Sequence, residues 1–407
     1  MNSARPRPER SEGRRSPTTI QILMFVTALG GIAMAFLAAV ALGGLGFIAA
    51  FDGDEFSALT GLWTMAGALA VAVALAPAAY WSGRAVFGVP PPPRGRPSGI
   101  WLVPILGYPG CLALGWLAHV RGAAPLVLGP LGLIGTASLS VVLVAWLVRR
   151  LGPPITPLRA WGHFTIGLTA MPLTAMVLEF AVLLPLLLIV GVWLLTSPEG
   201  LVWTSALQQT AADPDLALQS AGEFFQSPFV LIGLYGYVGL AIPVIEELIK
   251  TMAVWPYLRR GLPAAEAFLG GALGGAGYAL FEALFLTQPG EAWIVTTIAR
   301  IGATALHVFT AALTSYGLMQ AFRRKRYAVA AGTFLAAMAM QGMWNLAAVT
   351  IGISSVPITA SSPPPLADFG GAAALLLIAL AVASALGLVL IWGRLARSEA
   401  KRDLGGC

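Results

Sequence analysis

Six ionisable side chains lie inside apolar stretches of the C-terminal half of this chain. They are Glu246, Glu247, Lys250, Glu282, Arg300 and His307. A charge at the centre of a bilayer costs roughly 2.5–3.5 kcal/mol on insertion scales, so a group of charges must pair or line a wet cavity. Carboxylates beside a histidine and cations are the groups of acid–base catalysis, metal binding and proton relays. The pattern predicts that the chemistry of this protein lies in its C-terminal half.

Helical spacing divides the first three of these residues between two faces. Glu246 and Lys250 are four residues apart, so they share a helix face and can form an ion pair. Glu247 is turned about 100° from Glu246 and faces a different neighbour. One carboxylate is thus neutralised while the other remains for chemistry, and the spacing does not tell which of the two acts as a base.

Two later segments carry polar residues at helical spacing. Arg300 and His307 follow one stripe, and Gln341 and Asn345 follow another on the next segment. At a rise of about 1.5 Å per residue, His307 and Gln341 fall near the middle of a bilayer. The segment that carries Glu282 is rich in glycine, and small residues let helices approach closely. We therefore expect Glu282 to reach the other polar residues.

The composition excludes a soluble globular protein. Hydrophobic residues make up 57% of the 407 residues and charged residues only 10%, with a mean hydropathy of +0.81, whereas soluble domains carry about a quarter charged residues. Ten segments have the roughly 20 apolar residues that a membrane-spanning helix needs: Thr19–Leu42, Phe56–Trp81, Gly99–His119, Ala124–Val148, Trp161–Leu195, Phe229–Trp255, Ala264–Leu286, Trp293–Phe322, Tyr327–Ile351 and Gly371–Trp392. The sequence predicts an all-α polytopic bundle of about ten transmembrane helices, whose long fifth segment must tilt, kink or extend beyond the bilayer.

Basic and acidic residues alternate between successive loops. Five arginines precede the first apolar segment, and the loop after it is acidic. Because basic residues mark the cytoplasmic side, both termini are predicted to be cytoplasmic, in a bacterial plasma membrane. The net charge of +6 therefore indicates topology rather than nucleic-acid binding. Cys111 and Cys407 do not have the spacing of metal ligands.

These patterns divide the chain into regions. They are a basic cytoplasmic tail (1–18), two transmembrane helices (19–82), a Pro-rich cytoplasmic linker (83–98), three transmembrane helices with an extracytoplasmic loop (99–227), a core of four transmembrane helices (228–352), and a last transmembrane helix with a cytoplasmic tail (353–407). Four consecutive prolines in the linker favour a stiff spacer. Glu179 is the single charge inside the first five apolar segments, and we interpret it as a structural residue.

Four short motifs occur in order within the core, one in each helix. Ile245–Lys250 reads EExxK, Gly275–Glu282 reads GxGYAxxE, Arg300 and His307 share a helix rich in threonine and glycine, and Met340–Asn345 ends the series. This order resembles that of the PrsW family of intramembrane proteases, which are related to the CAAX-processing and bacteriocin-processing membrane proteases. The fourth motif of that family usually reads HxxxN or HxxxD.

The resemblance covers about Phe229–Ile351 and implies hydrolysis of a peptide bond at a membrane-embedded site. The catalytic glutamates and histidine of the family carry over onto Glu246, Glu247, Glu282 and His307. The resemblance implies supporting roles for four further residues, Lys250, Arg300, Gln341 and Asn345.

A departure at the fourth motif bears on the mechanism. Gln341 stands where the family usually has a second histidine, and a glutamine can neither offer an imidazole to a metal nor act as a base. We therefore favour a glutamic mechanism without a cofactor, in which Glu246 or Glu247 activates a water molecule. The alternative is a zinc site formed by His307, Glu247 and Glu282.

The resemblance also implies partners. These are the lipid bilayer and a membrane-protein substrate, for which a single-span anti-sigma factor is the candidate; nothing indicates nucleic acid. Two other classes of function fit the same residues. The missing second histidine suits a catalytically inactive relative that binds peptides or partners. Carboxylates beside a lysine in a helix bundle also suit a proton-coupled carrier, although the chain has no evident inverted repeat of the kind common in carriers.

Overall fold

The computed structural model describes residues 18–89, 102–120, 155–210, 224, 227–259, 262–286, 293–354 and 366–405. These residues form helices joined by short turns, and no strand occurs among them. The predicted all-α polytopic bundle is therefore confirmed. The N-terminal tail up to residue 17, most of the Pro-rich linker, and the predicted fourth segment Ala124–Val148 lie outside the described residues.

The helices are numbered in chain order. They are α1 (Thr19–Phe51), α2 (Glu55–Val86), α3 (Leu102–Val120), α4 (Pro157–Leu168), α5 (Ala170–Thr196), α6 (Pro198–Thr210), α7 (Pro228–Gly236), α8 (Ile242–Lys250), α9 (Trp255–Leu258), α10 (Ala264–Leu286), α11 (Trp293–Arg324), α12 (Tyr327–Ser354) and α13 (Gly370–Gly405). Within the described ranges, eight helical stretches are long and apolar enough to cross a membrane, and α3 contains a shorter apolar helix. These stretches and α3 coincide with nine of the ten predicted segments.

The long fifth segment is broken at Thr169 into α4 and α5. Thr169 has φ −120° and ψ −72°, outside the usual values for an α-helix. Pro172 lies four residues after Leu168 and has no N–H to donate to the Leu168 carbonyl, so the hydrogen-bond ladder is interrupted there. Of the three predicted alternatives, the kink is therefore present.

Helix α10 lies at the centre of the bundle and is buried along most of its length. It packs between α4 and α11. A Cβ atom at Gly275 would collide with the His307 carbonyl oxygen of α11, and one at Gly277 would collide with the Phe164 carbonyl oxygen of α4. The absence of side chains at these two positions allows backbones to touch, and the close contact with α11 holds the helices of Glu282 and His307 together.

Candidate active site

The helix that carries the two adjacent glutamates is preceded by a π-helical turn, Tyr237–Ala241. Pro243 near the start of α8 cannot donate to the Gly239 carbonyl four residues earlier, which helps to widen this turn. A Cβ atom at Gly342 would collide with the Gly239 carbonyl oxygen, so α12 approaches this turn closely. Asn345 of α12 donates a hydrogen bond from Nδ2 to the Val238 carbonyl at 3.0 Å. Helix α12 therefore fixes the turn that aims α8 into the bundle.

Lys250 is fully buried and forms ion pairs with both glutamates of α8. Its Nζ lies 2.6 Å from Glu247 Oε1 and 3.3 Å from Glu246 Oε2. The same ammonium group donates to Gln341 Oε1 at 3.3 Å, and Gln341 Nε2 donates to Asn345 Oδ1 at 3.3 Å. The expected pairing of Glu246 with Lys250 is present, but the closer partner is Glu247. Gln341 thus links the charged cluster to α12.

Glu246, Glu282 and His307 meet from three different helices. His307 Nε2 lies 2.9 Å from Glu282 Oε2, and His307 Nδ1 lies 3.9 Å from Glu246 Oε2. One ligand atom from each residue lies within 4.8 Å of the other two. Glu246 and His307 are buried, whereas Glu282 is partly exposed and is also 3.5 Å from Arg300 Nη1.

The donor atoms of this group fit a divalent cation. His307 Nδ1 is buried and has no hydrogen-bond partner among the described residues. The buried Glu246 Oε2 lies 3.9 Å from it and is ion-paired with Lys250 on its other side. Carboxylate oxygen and imidazole nitrogen are ligands that zinc accepts, and a catalytic zinc site typically uses three protein ligands. This group contains Glu246, whereas the zinc site considered in the sequence analysis contained Glu247 with Glu282 and His307.

A cavity of about 710 Å³ opens beside these residues. The predicted site residues that line it are Glu246, Glu282, Arg300, His307, Gln341 and Asn345. Glu247 and Lys250 are not among the lining residues; both are fully buried behind Glu246. The apolar part of the wall includes Met176, Phe180 and Phe281. The predicted residues therefore divide into a group that faces the cavity and a pair that supports it.

Two residues at the site were missed in the sequence. Tyr278 lines the cavity. The centroid of its ring lies 5.4 Å from the centroid of the His307 ring and 5.5 Å from Lys250 Nζ. It belongs to the GxGYAxxE motif, so the motif could have indicated it. Glu179 of α5 also lines the cavity, although the sequence suggested a structural residue. The sequence feature that could have indicated a functional position is that Glu179 is the single charged residue among the 27 residues of α5.

The fold and the site define a polytopic membrane protein with a buried cluster of carboxylates and histidine at a central cavity. Residues 160–382, more than half of the chain, match the family described as PrsW family intramembrane metalloprotease. The chain belongs to this family. The match extends the resemblance from the predicted core to α4, α5 and part of α13, and so includes Glu179. Searches of the curated proteins and of the solved structures returned no match.

Proposed function

We propose that this protein is an intramembrane endopeptidase that hydrolyses a peptide bond of a membrane-protein substrate in the cavity between α5, α8, α10, α11 and α12. The observation that carries the proposal is the group of Glu246, Glu282 and His307, whose ligand atoms lie within 4.8 Å of one another at the cavity wall. Membership of a family of intramembrane proteases supports it.

In the proposed site, Glu246, Glu282 and His307 hold a divalent cation, for which zinc is the candidate. When bound, such a cation lowers the pKa of a water molecule and polarises the scissile carbonyl. Glu246 and Glu282 are anionic ligands and His307 is a neutral one, so together they balance the charge of the cation. The buried His307 Nδ1, which has no hydrogen-bond partner among the described residues, supports this assignment.

The neighbouring residues orient these ligands and the substrate. Lys250 holds the Glu246 carboxylate from behind and is itself held by Glu247 and Gln341. Outer contacts of this kind fix the direction of metal ligands. The Arg300 guanidinium lies beside Glu282 on the cavity wall and can donate hydrogen bonds to the oxyanion that forms during hydrolysis.

The glutamic mechanism favoured by the sequence remains the second candidate. Glu246 would then be the base, because it faces the cavity, whereas Glu247 is fully buried and bonded to Lys250 at 2.6 Å. The family description names metalloproteases and therefore does not confirm this mechanism. The peptide-binding relative also stays open, because Gln341 replaces the usual histidine.

Removal of metal by a chelator distinguishes the metal-dependent mechanism, the glutamic mechanism and the inactive relative. We expect the purified protein in lipid vesicles to hold about one zinc ion per chain and to cut a panel of single-span membrane peptides that includes anti-sigma-factor segments. A membrane-permeant chelator should abolish cleavage, and added zinc should restore it, with products read by mass spectrometry. Cleavage that survives removal of all metal would favour the glutamic mechanism. Stable binding of the peptides without any cleavage would favour the inactive relative.

We further propose that both termini face the cytoplasm of a bacterial plasma membrane, because basic and acidic loops alternate along the chain. Reporter fusions at Asp213 and Arg324 test this orientation. The Asp213 fusion should be active on the outer side and the Arg324 fusion on the inner side. Activity on the opposite side at either position would contradict the proposed orientation.

A further inference from the structure

Glu179 lies on the wall of the cavity that the proposed metal ligands also line. Helix α5, on which it lies, is otherwise uncharged, and its large apolar residues are mostly exposed on the outer surface of the bundle. A carboxylate in such a helix costs insertion free energy unless it faces a cavity or a partner. Glu179 does face the cavity, and its Oε1 is buried without a hydrogen-bond partner in the described part of the chain.

The other ionisable groups on the cavity wall already have roles. Glu246, Glu282 and His307 form the proposed metal-binding group. Arg300 pairs with Glu282 at 3.5 Å, and its guanidinium group has no acceptor atom for a proton. Tyr278 carries a phenol, whose hydroxyl is protonated at neutral pH, so it is a poor base.

Glu247 cannot accept a proton from a molecule in the cavity either. Glu247 is fully buried, does not line the cavity, and is held by Lys250 at 2.6 Å. Glu179 itself is outside the group whose ligand atoms lie within 4.8 Å of one another. Among the residues that the structure describes at the cavity, Glu179 is therefore the carboxylate that neither holds the proposed cation nor forms an ion pair.

We propose that Glu179 is a catalytic residue that carries the proton during hydrolysis. The inference rests on the function proposed above. The oxygen of a water molecule forms a bond to the scissile carbonyl carbon, and Glu179 takes one proton from that water. The C–N bond then breaks, and Glu179 gives the proton to the leaving nitrogen. The products are a carboxylic acid and an amine, and Glu179 returns to its ionised form.

The test compares two substitutions on the same helix in vesicles that contain zinc. Glu179→Gln removes the proton acceptor but keeps the volume, and it should lower kcat by about 10²–10⁴-fold, the usual contribution of acid–base catalysis. Its KM and its zinc content should stay within about twofold of the wild type. Leu178→Gln places the same amide one residue away, on a side chain that does not line the cavity, and should leave kcat unchanged.

The zinc content of Glu179→Gln and its separate effects on kcat and KM distinguish a proton carrier from a metal ligand or a substrate-binding residue. Loss of zinc in Glu179→Gln would mean that Glu179 is a ligand, and a raised KM with normal kcat would mean that it only binds substrate; either result overturns the proposal. Glu282→Gln is the matched variant that should lose zinc. Wild-type cleavage that resists chelation would leave Glu246 free to act as the base and would also overturn the role of Glu179. If the wild type binds zinc but cuts no peptide of the panel, the endopeptidase function itself fails.

Discussion

Glu246→Gln should lower kcat/KM for peptide cleavage by about 10³-fold and abolish high-affinity zinc binding, while the protein remains folded. Glu246 supplies a carboxylate oxygen to the group with Glu282 and His307. Glutamine keeps the volume but removes the negative charge that a divalent cation requires. Metal catalysis is worth several kcal/mol, and each 1.4 kcal/mol is about tenfold in rate. Steady-state cleavage and elemental analysis of the purified variant measure the two effects.

The neighbouring glutamate provides a matched control. Glu247→Gln makes the same chemical change one residue later, at a fully buried position that does not line the cavity. It should still bind zinc and should lose only about 10–100-fold in activity, the usual effect of removing a residue that orients a ligand. A Glu247→Gln variant that loses zinc while Glu246→Gln keeps it would show that the predicted ligand set with Glu247 was right.

Lys250→Met should destabilise the protein by about 3–5 kcal/mol, the usual cost of removing one partner from a buried ion pair. The fully buried Lys250 ammonium forms ion pairs with Glu247 at 2.6 Å and Glu246 at 3.3 Å. It also donates a hydrogen bond to the Gln341 side chain at 3.3 Å. Methionine fills the space but leaves two carboxylates without their shared cation. Reversible unfolding in mixed micelles, followed by tryptophan fluorescence, measures the change.

A double variant distinguishes charge from packing. Lys250→Met combined with Glu247→Gln removes both members of the closest pair, so it should recover a large part of the lost stability. Arg300→Met is the comparison at a partly exposed ion pair, where the distance to Glu282 is 3.5 Å; its effect should be about 1 kcal/mol or less. If the double variant is as unstable as Lys250→Met alone, the packing of the lysine stem and not its charge is responsible.

The sequence predicted those features of the site that depend on local spacing. The four-residue step from Glu246 to Lys250 places the two side chains within reach in any helix, so that contact could be predicted directly. The choice between Glu246 and Glu247 could not, because it depends on the direction of α8. That direction is set by the π-helical turn before α8 and by the hydrogen bond from Asn345 to Val238. This hydrogen bond joins two residues that are 107 positions apart in the sequence.

Glu179 shows the same limit more clearly. In the sequence it is an isolated charge in an apolar helix, and its nearest motif begins more than 60 residues later. Its place at the cavity depends on the break at Thr169, which sets the course of α5, and on the packing of α5 against the segment that contains α8. A proline such as Pro172 indicates a kink, but its presence does not give the direction in which the following helix leaves.

The burial of α10 has a consequence for how the protein is made. Of the eight spans it is the least hydrophobic, and its glycines meet the backbones of α4 and α11. A nascent α10 would gain little by entering lipid alone, because its surface is complementary to protein rather than to acyl chains. We therefore expect its stable integration to depend on α4, which is synthesised before it, and on α11, which follows. The group of Glu246, Glu282 and His307 therefore forms only after α11 has been synthesised, late in the insertion of the chain.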